Sequence, residues 1–100
     1  MPTAEIVKTI KNCLGYVFVC GNGGSNSETE HMVSEFVTHG IPAISLCNAS
    51  TITALANDYS YDKVFSIQLE VLAKRGDVLI GLSTSGKSKN ILNAYKSAKK

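Results

Sequence analysis

The chain has 100 residues, 44% of them hydrophobic, with ten basic against eight acidic side chains and a formal charge of +2. That length accommodates one domain at most, and a chain this short buries a core only if its elements pack completely. The near balance of charge gives neither a nucleic-acid footprint nor an acidic tail, and the lack of a leader-like start or a bilayer-length apolar run makes a soluble cytoplasmic protein the expectation.

The first apolar run, residues 16–20, reads as a buried strand. A helix is expected after it, from about Asn26 to Thr38, with Met32, Val33, Phe36 and Val37 on one face. A second strand is expected over residues 41–46, and Pro42, which has no N–H for a ladder, assigns it to a sheet edge or to a strand opening. Tyr61, Val64, Phe65, Gln68, Leu69 and Leu72 recur at helical spacing and predict a helix that covers the sheet. A third strand over residues 77–82 leads to a last helix from about Ser88, with Ile91, Leu92, Tyr95 and Ala98 on its apolar stripe. Gly15, Gly40 and Gly76 each stand just before a strand, where a helix end favours positive φ. Of Cys13, Cys20 and Cys47, two lie in apolar runs as free thiols that act as small hydrophobes, which fits a reducing compartment.

Strands alternating with helices imply a parallel sheet with right-handed crossovers and a ligand site beyond the carboxyl ends of the strands. No linker or repeat divides the chain, so residues 1–100 are expected to form a single domain. The sequence ends in a helix with no strand to receive its crossover, and a domain lacking its later strands is therefore expected.

Two strand-to-helix loops carry chemistry. The first, Gly21-Asn22-Gly23-Gly24-Ser25-Asn26, aims backbone N–H groups and a helix dipole at an anion, for which phosphate is the natural guest. Its plain alternative is a glycine-rich turn serving backbone geometry alone. Dinucleotide binding is excluded, because Asn26 stands where a third glycine is needed and Leu46-Cys47-Asn48 offers no acid at the end of the second strand. The second loop, Ser83-Thr84-Ser85-Gly86-Lys87-Ser88, places four hydroxyls in six residues at another helix N-terminus, more than capping requires. With Gly81 and Leu82 it also satisfies the nucleotide-binding pattern G-x-x-x-x-G-K-[ST], but the neighbouring strands end in Cys20-Gly21-Asn22 and Leu46-Cys47-Asn48, without the carboxylate that would hold magnesium.

His31 and Glu35 lie four apart and share one face of the first helix, bordering its apolar stripe. Such a pair can simply be solvated or bonded to itself. Following a phosphate loop, it can instead bring a base or a metal to the far end of a short sugar phosphate.

Taken together, Cys20 to Ser25, His31 with Glu35, Asn57-Asp58, and Gly76 to Gly81 leading into Ser83-Thr84-Ser85-Gly86 resemble the sugar isomerase (SIS) domain family, in order over residues 14–99. Within it the pattern is similar to isomerases of seven-carbon sugar phosphates. The resemblance implies an α/β, flavodoxin-like parallel sheet with helices on both faces, and a homotetramer with active sites shared between subunits. It implies conversion of sedoheptulose 7-phosphate to D-glycero-D-manno-heptose 7-phosphate, toward the heptose of bacterial lipopolysaccharide. Ser83, Thr84, Ser85 and Ser88, with Ser25, match the phosphate site; Asn22, Gly23, Gly24, Asn57 and Asp58 match the sugar site. Glu35 matches the catalytic base, which touches substrate, and His31 and Glu35 match ligands of a zinc ion.

The chemistry implied is a base taking a carbon-bound proton and returning it to the neighbouring carbon through an enediol, and burial of Glu35 beside the apolar stripe would tune it for that task. The resemblance has departures. The segment 36–41 is shorter than in the family, only about a dozen residues precede the first strand, and the family's C-terminal Gln and His would fall beyond Lys100. A non-catalytic SIS module that binds a sugar phosphate or a partner protein is the second reading.

Overall fold

The computed structural model describes residues 15–83 and 85–99. Along the chain the elements are β1 (Val17–Gly21), α1 (Gly24–Thr38), β2 (Ala43–Ser45), α2 (Ala49–Asp58), a 3-10 turn (Tyr61–Lys63), α3 (Val64–Leu72), β3 (Val78–Leu82) and α4 (Lys89–Ala98). The three strands are parallel and ordered β2-β1-β3. This is the flavodoxin-like arrangement expected.

The central position of β1 explains its composition. A strand covered on both faces needs no polar alternation, and Val17, Phe18, Val19 and Cys20 are at most 1% exposed. Phe18 and Cys20 join Leu46, Val64, Phe65, Leu69, Ile91 and Ala94 in one cluster. Val17 and Val19, pointing the other way by strand alternation, lie on the opposite face, against which α1 packs with its buried Thr29. Helices therefore cover both faces.

Pro42 sits immediately before β2, which is an edge strand, as its missing N–H requires. Its carbonyl still accepts from Val17 N at 2.9 Å, and Leu46 N donates to Val19 O at 2.8 Å, so the ladder continues past the three residues of the strand. Gly40 and Gly76 take φ values of 81° and 98° ahead of β2 and β3.

Several boundaries differ from expectation. β2 is shorter than residues 41–46. The helix expected over residues 61–72 opens as the 3-10 turn, leaving Tyr61 and Leu72 exposed rather than on the covering face. In α4, Ile91 and Ala94 are buried while Leu92 and Tyr95 remain exposed. Helix α2 was not anticipated. Asn48 starts it by accepting from Thr51 N at 3.1 Å, and Ile52, Leu55 and Ala56 pack against the core cluster. Cys20 and Cys47 are buried free thiols as expected, whereas Cys13 lies outside the described residues. Among the described residues, no helix is long and apolar enough to cross a membrane.

Candidate active site

Both loops lie at the carboxyl ends of adjacent strands, since β1 pairs with β3 along its length from Val17↔Val78 to Gly21↔Leu82. Each opens a helix, and neither α1 nor α4 has an acidic residue in its first turn. Two positive helix ends thus converge without local neutralisation, which favours an anion.

Helix α1 begins at Gly24 rather than Asn26, so the first connection is only Asn22-Gly23. Gly23 takes φ 55°, a conformation that side chains rarely adopt. At Gly21, a Cβ would meet the Ser25 backbone at 3.0 Å, so a glycine lets the helix approach the strand end. The tight turn uses some of the N–H groups expected to be free. Ser25 N donates to Asn22 O at 2.9 Å and Asn26 N to Gly23 O at 3.0 Å.

The second loop keeps more donors available. Ser83 Oγ accepts from Gly86 N at 3.0 Å and Ser85 Oγ from Lys87 N at 3.1 Å. Each hydroxyl shapes the loop as an acceptor and retains its own O–H to donate. Ser88 is the N-cap of α4 by backbone geometry, yet its side chain makes no capping bond. Among the described residues, the N–H groups of Lys89, Asn90 and Ile91 also have no partner. Thr84 lies outside the described residues.

A reciprocal amide pair locks the loops together. Asn22 Nδ2 donates to Asn90 Oδ1 at 2.8 Å, and Asn90 Nδ2 donates back to Asn22 Oδ1 at 3.0 Å. The Tyr61 hydroxyl donates to the same Asn22 oxygen at 2.7 Å. Asn90 is 2% exposed. Tyr61 and Asn90 were absent from the sequence-based site, because their partner stands 39 and 68 residues away. Asn57 and Asp58 end α2 on the surface, joined by a 3.3 Å bond, just before the turn that carries Tyr61.

His31 and Glu35 do share a face, with Nε2 and Oε1 4.0 Å apart. Their side chains are 80% and 58% exposed, so the burial expected beside the apolar stripe is corrected. The stripe itself is only half-buried at Met32, Val33 and Phe36, and exposed at Val37. Among the described residues, no group of three or more His, Cys, Asp or Glu side chains could hold a metal. This pair has suitable nitrogen and oxygen donors but amounts to two of the four ligands of a tetrahedral zinc site. Glu35 also stands ten residues beyond Ser25 on α1, about 15 Å by helix rise. The structure does not bring it beside the loops of its own chain.

Two adjacent strand-to-helix loops with hydroxyl and amide donors, on a β2-β1-β3 sheet, define an α/β domain with a site suited to an anion at the carboxyl ends of its strands. Residues 3–100 match the sequence model of the SIS domain, and the chain belongs to that family. It is 46% identical over 101 residues to a phosphoheptose isomerase of Helicobacter pylori strain P12, covering 94% of this chain and 52% of that protein. With a phosphoheptose isomerase of Synechocystis it shares 50% identity over 90 residues, 83% of this chain and 46% of that one. A solved phosphoheptose isomerase structure from Neisseria gonorrhoeae superposes with a TM-score of 0.92 at 41% identity, covering 98% of this chain and 56% of that chain. The chain spans about half the length of these relatives.

Proposed function

We propose that this chain is the substrate-recognising part of a phosphoheptose isomerase, which converts sedoheptulose 7-phosphate to D-glycero-D-manno-heptose 7-phosphate in the cytoplasm, toward lipopolysaccharide heptose. The observation that carries the reading is the pairing of the two loops through Asn22 and Asn90, joined to the similarity with proteins of that name.

In this reading Ser83, Thr84, Ser85 and Ser88 hold the phosphate with the free N–H groups of α4, and Ser25 closes it from the first loop. Asn22, Gly23, Gly24, Asn57 and Asp58 line the sugar. Glu35 takes the proton from one carbon and returns it to the next through an enediol. The assembly in this reading is a homotetramer with shared active sites, in which a neighbouring copy supplies the base to a given phosphate site. His31 and Glu35 would hold zinc with ligands from elsewhere; when bound, the ion would polarise the sugar oxygen beside the reacting carbons.

The test is incubation of the protein with sedoheptulose 7-phosphate, following the aldose by NMR. Product formation that Glu35→Gln abolishes while leaving sugar-phosphate binding intact is expected. Binding that Ser85→Ala weakens, with no aldose from the wild type, favours the second reading of a non-catalytic sugar-phosphate module.

A further inference from the structure

The two hydrogen bonds received by Asn22 Oδ1, from Tyr61 Oη at 2.7 Å and Asn90 Nδ2 at 3.0 Å, occupy both acceptor positions of that oxygen. Asn22 Nδ2 gives one hydrogen to Asn90 Oδ1. Its second hydrogen has no partner among the described residues. An asparagine on a loop can ordinarily meet a sugar oxygen either as donor or as acceptor, because the amide can turn over. Here the Tyr61 hydroxyl and the buried Asn90 amide together fill three of the four hydrogen-bonding positions of that amide and leave one unfilled among the described residues.

We propose that Tyr61 and Asn90 are positioning residues that hold the Asn22 amide in place, so that its one unfilled position meets a sugar hydroxyl. The inference rests on the functional reading above, in which Asn22 faces the sugar. It adds a geometric selection: a sugar hydroxyl meets a half-buried amide whose plane is already set, and a ligand with no polar group at that point leaves the position unfilled. It also gives the aromatic turn at Tyr61 a task. Tyr61 is 52% exposed, yet its hydroxyl reaches Asn22, and Asn90 holds the same amide from the first turn of α4.

Tyr61→Phe removes only the hydroxyl. Binding is measured by calorimetry with two probes, sedoheptulose 7-phosphate and inorganic phosphate. The expected result is a loss of about fivefold for the sugar phosphate, the order of one hydrogen bond, with phosphate affinity and melting temperature unchanged. Asn22→Ala should weaken sugar-phosphate binding further, and the double variant Asn22→Ala/Tyr61→Phe should be no weaker than Asn22→Ala alone, since Tyr61 acts through Asn22. Equal sugar-phosphate affinity in Tyr61→Phe and wild type, or additive losses in the double variant, overturns the proposal. A parallel loss for both probes also overturns it, pointing to a merely structural hydroxyl. A wild type that binds sedoheptulose 7-phosphate no better than inorganic phosphate sinks the functional reading itself, a result distinct from the others.

Discussion

Asp77 clamps the chain at the opening of β3 to the chain at the opening of β1. Its Oδ1 accepts from Tyr16 N at 2.8 Å and its Oδ2 from Lys74 N at 2.7 Å. One carboxylate therefore sets both the turn after α3 and the start of the β1-β3 pairing, at the end of the sheet away from the loops. Asp77→Ala removes both bonds and is expected to destabilise the fold by about 1–3 kcal/mol, read from a urea midpoint. Asp77→Asn keeps one acceptor and should fall between the two.

Gln68 is one of the buried polar residues, with Thr29, Ser66 and Asn90. It is 8% exposed, and its Nε2 donates at 2.9 Å to both Leu46 O and Val64 O. Gln68→Leu preserves volume but deprives the Leu46 carbonyl of its donor, so a loss of about 1–3 kcal/mol is expected despite the more apolar side chain. Chemical denaturation of the purified variant measures it.

Burial, and then the neighbouring Cys47, pushes the Cys20 thiol from 9.0 up to about 12. An acid whose folded value is raised keeps its proton while the unfolded chain loses it. Stability from this group is complete below about pH 9 and declines as pH rises toward 12. Wild type should therefore lose more stability than Cys20→Ala across that window, although Cys20→Ala starts lower because of its cavity. Cys20 should also resist alkylation at pH 8 in the native protein.

Active sites shared between copies are tested by mixing two inactive proteins. On the function proposed above, Glu35→Gln lacks the base and Ser85→Ala lacks part of the phosphate grip. Refolded together, they should regain isomerase turnover that neither shows alone, because mixed assemblies contain sites with both functional parts. Absence of any regain would place Glu35 and the phosphate on one chain.

What the sequence made legible was local. The runs at β1 and β3 are continuous apolar segments, and each loop is a strand-to-helix connection whose Gly, Ser and Thr content shows within six residues. Helix α2 escaped notice because Ser50, Thr51 and Thr53 are weak helix formers, although Asn48 was available as a cap. The exposure of His31 and Glu35 could not be read from spacing, which assigns a face without saying what covers it. Tyr61 and Asn90 enter the site only through contacts across the fold, which no local pattern reveals.

The strand order also times assembly. Central β1 meets β3 only through residues 61 positions later, as in Val17↔Val78. At a synthesis rate of about 5–20 residues per second, β1 waits roughly 3–12 seconds for that partner. Until then Val17-Phe18-Val19-Cys20 is an uncharged apolar strand with one flank unpaired, the segment a nascent chain would most need to have shielded.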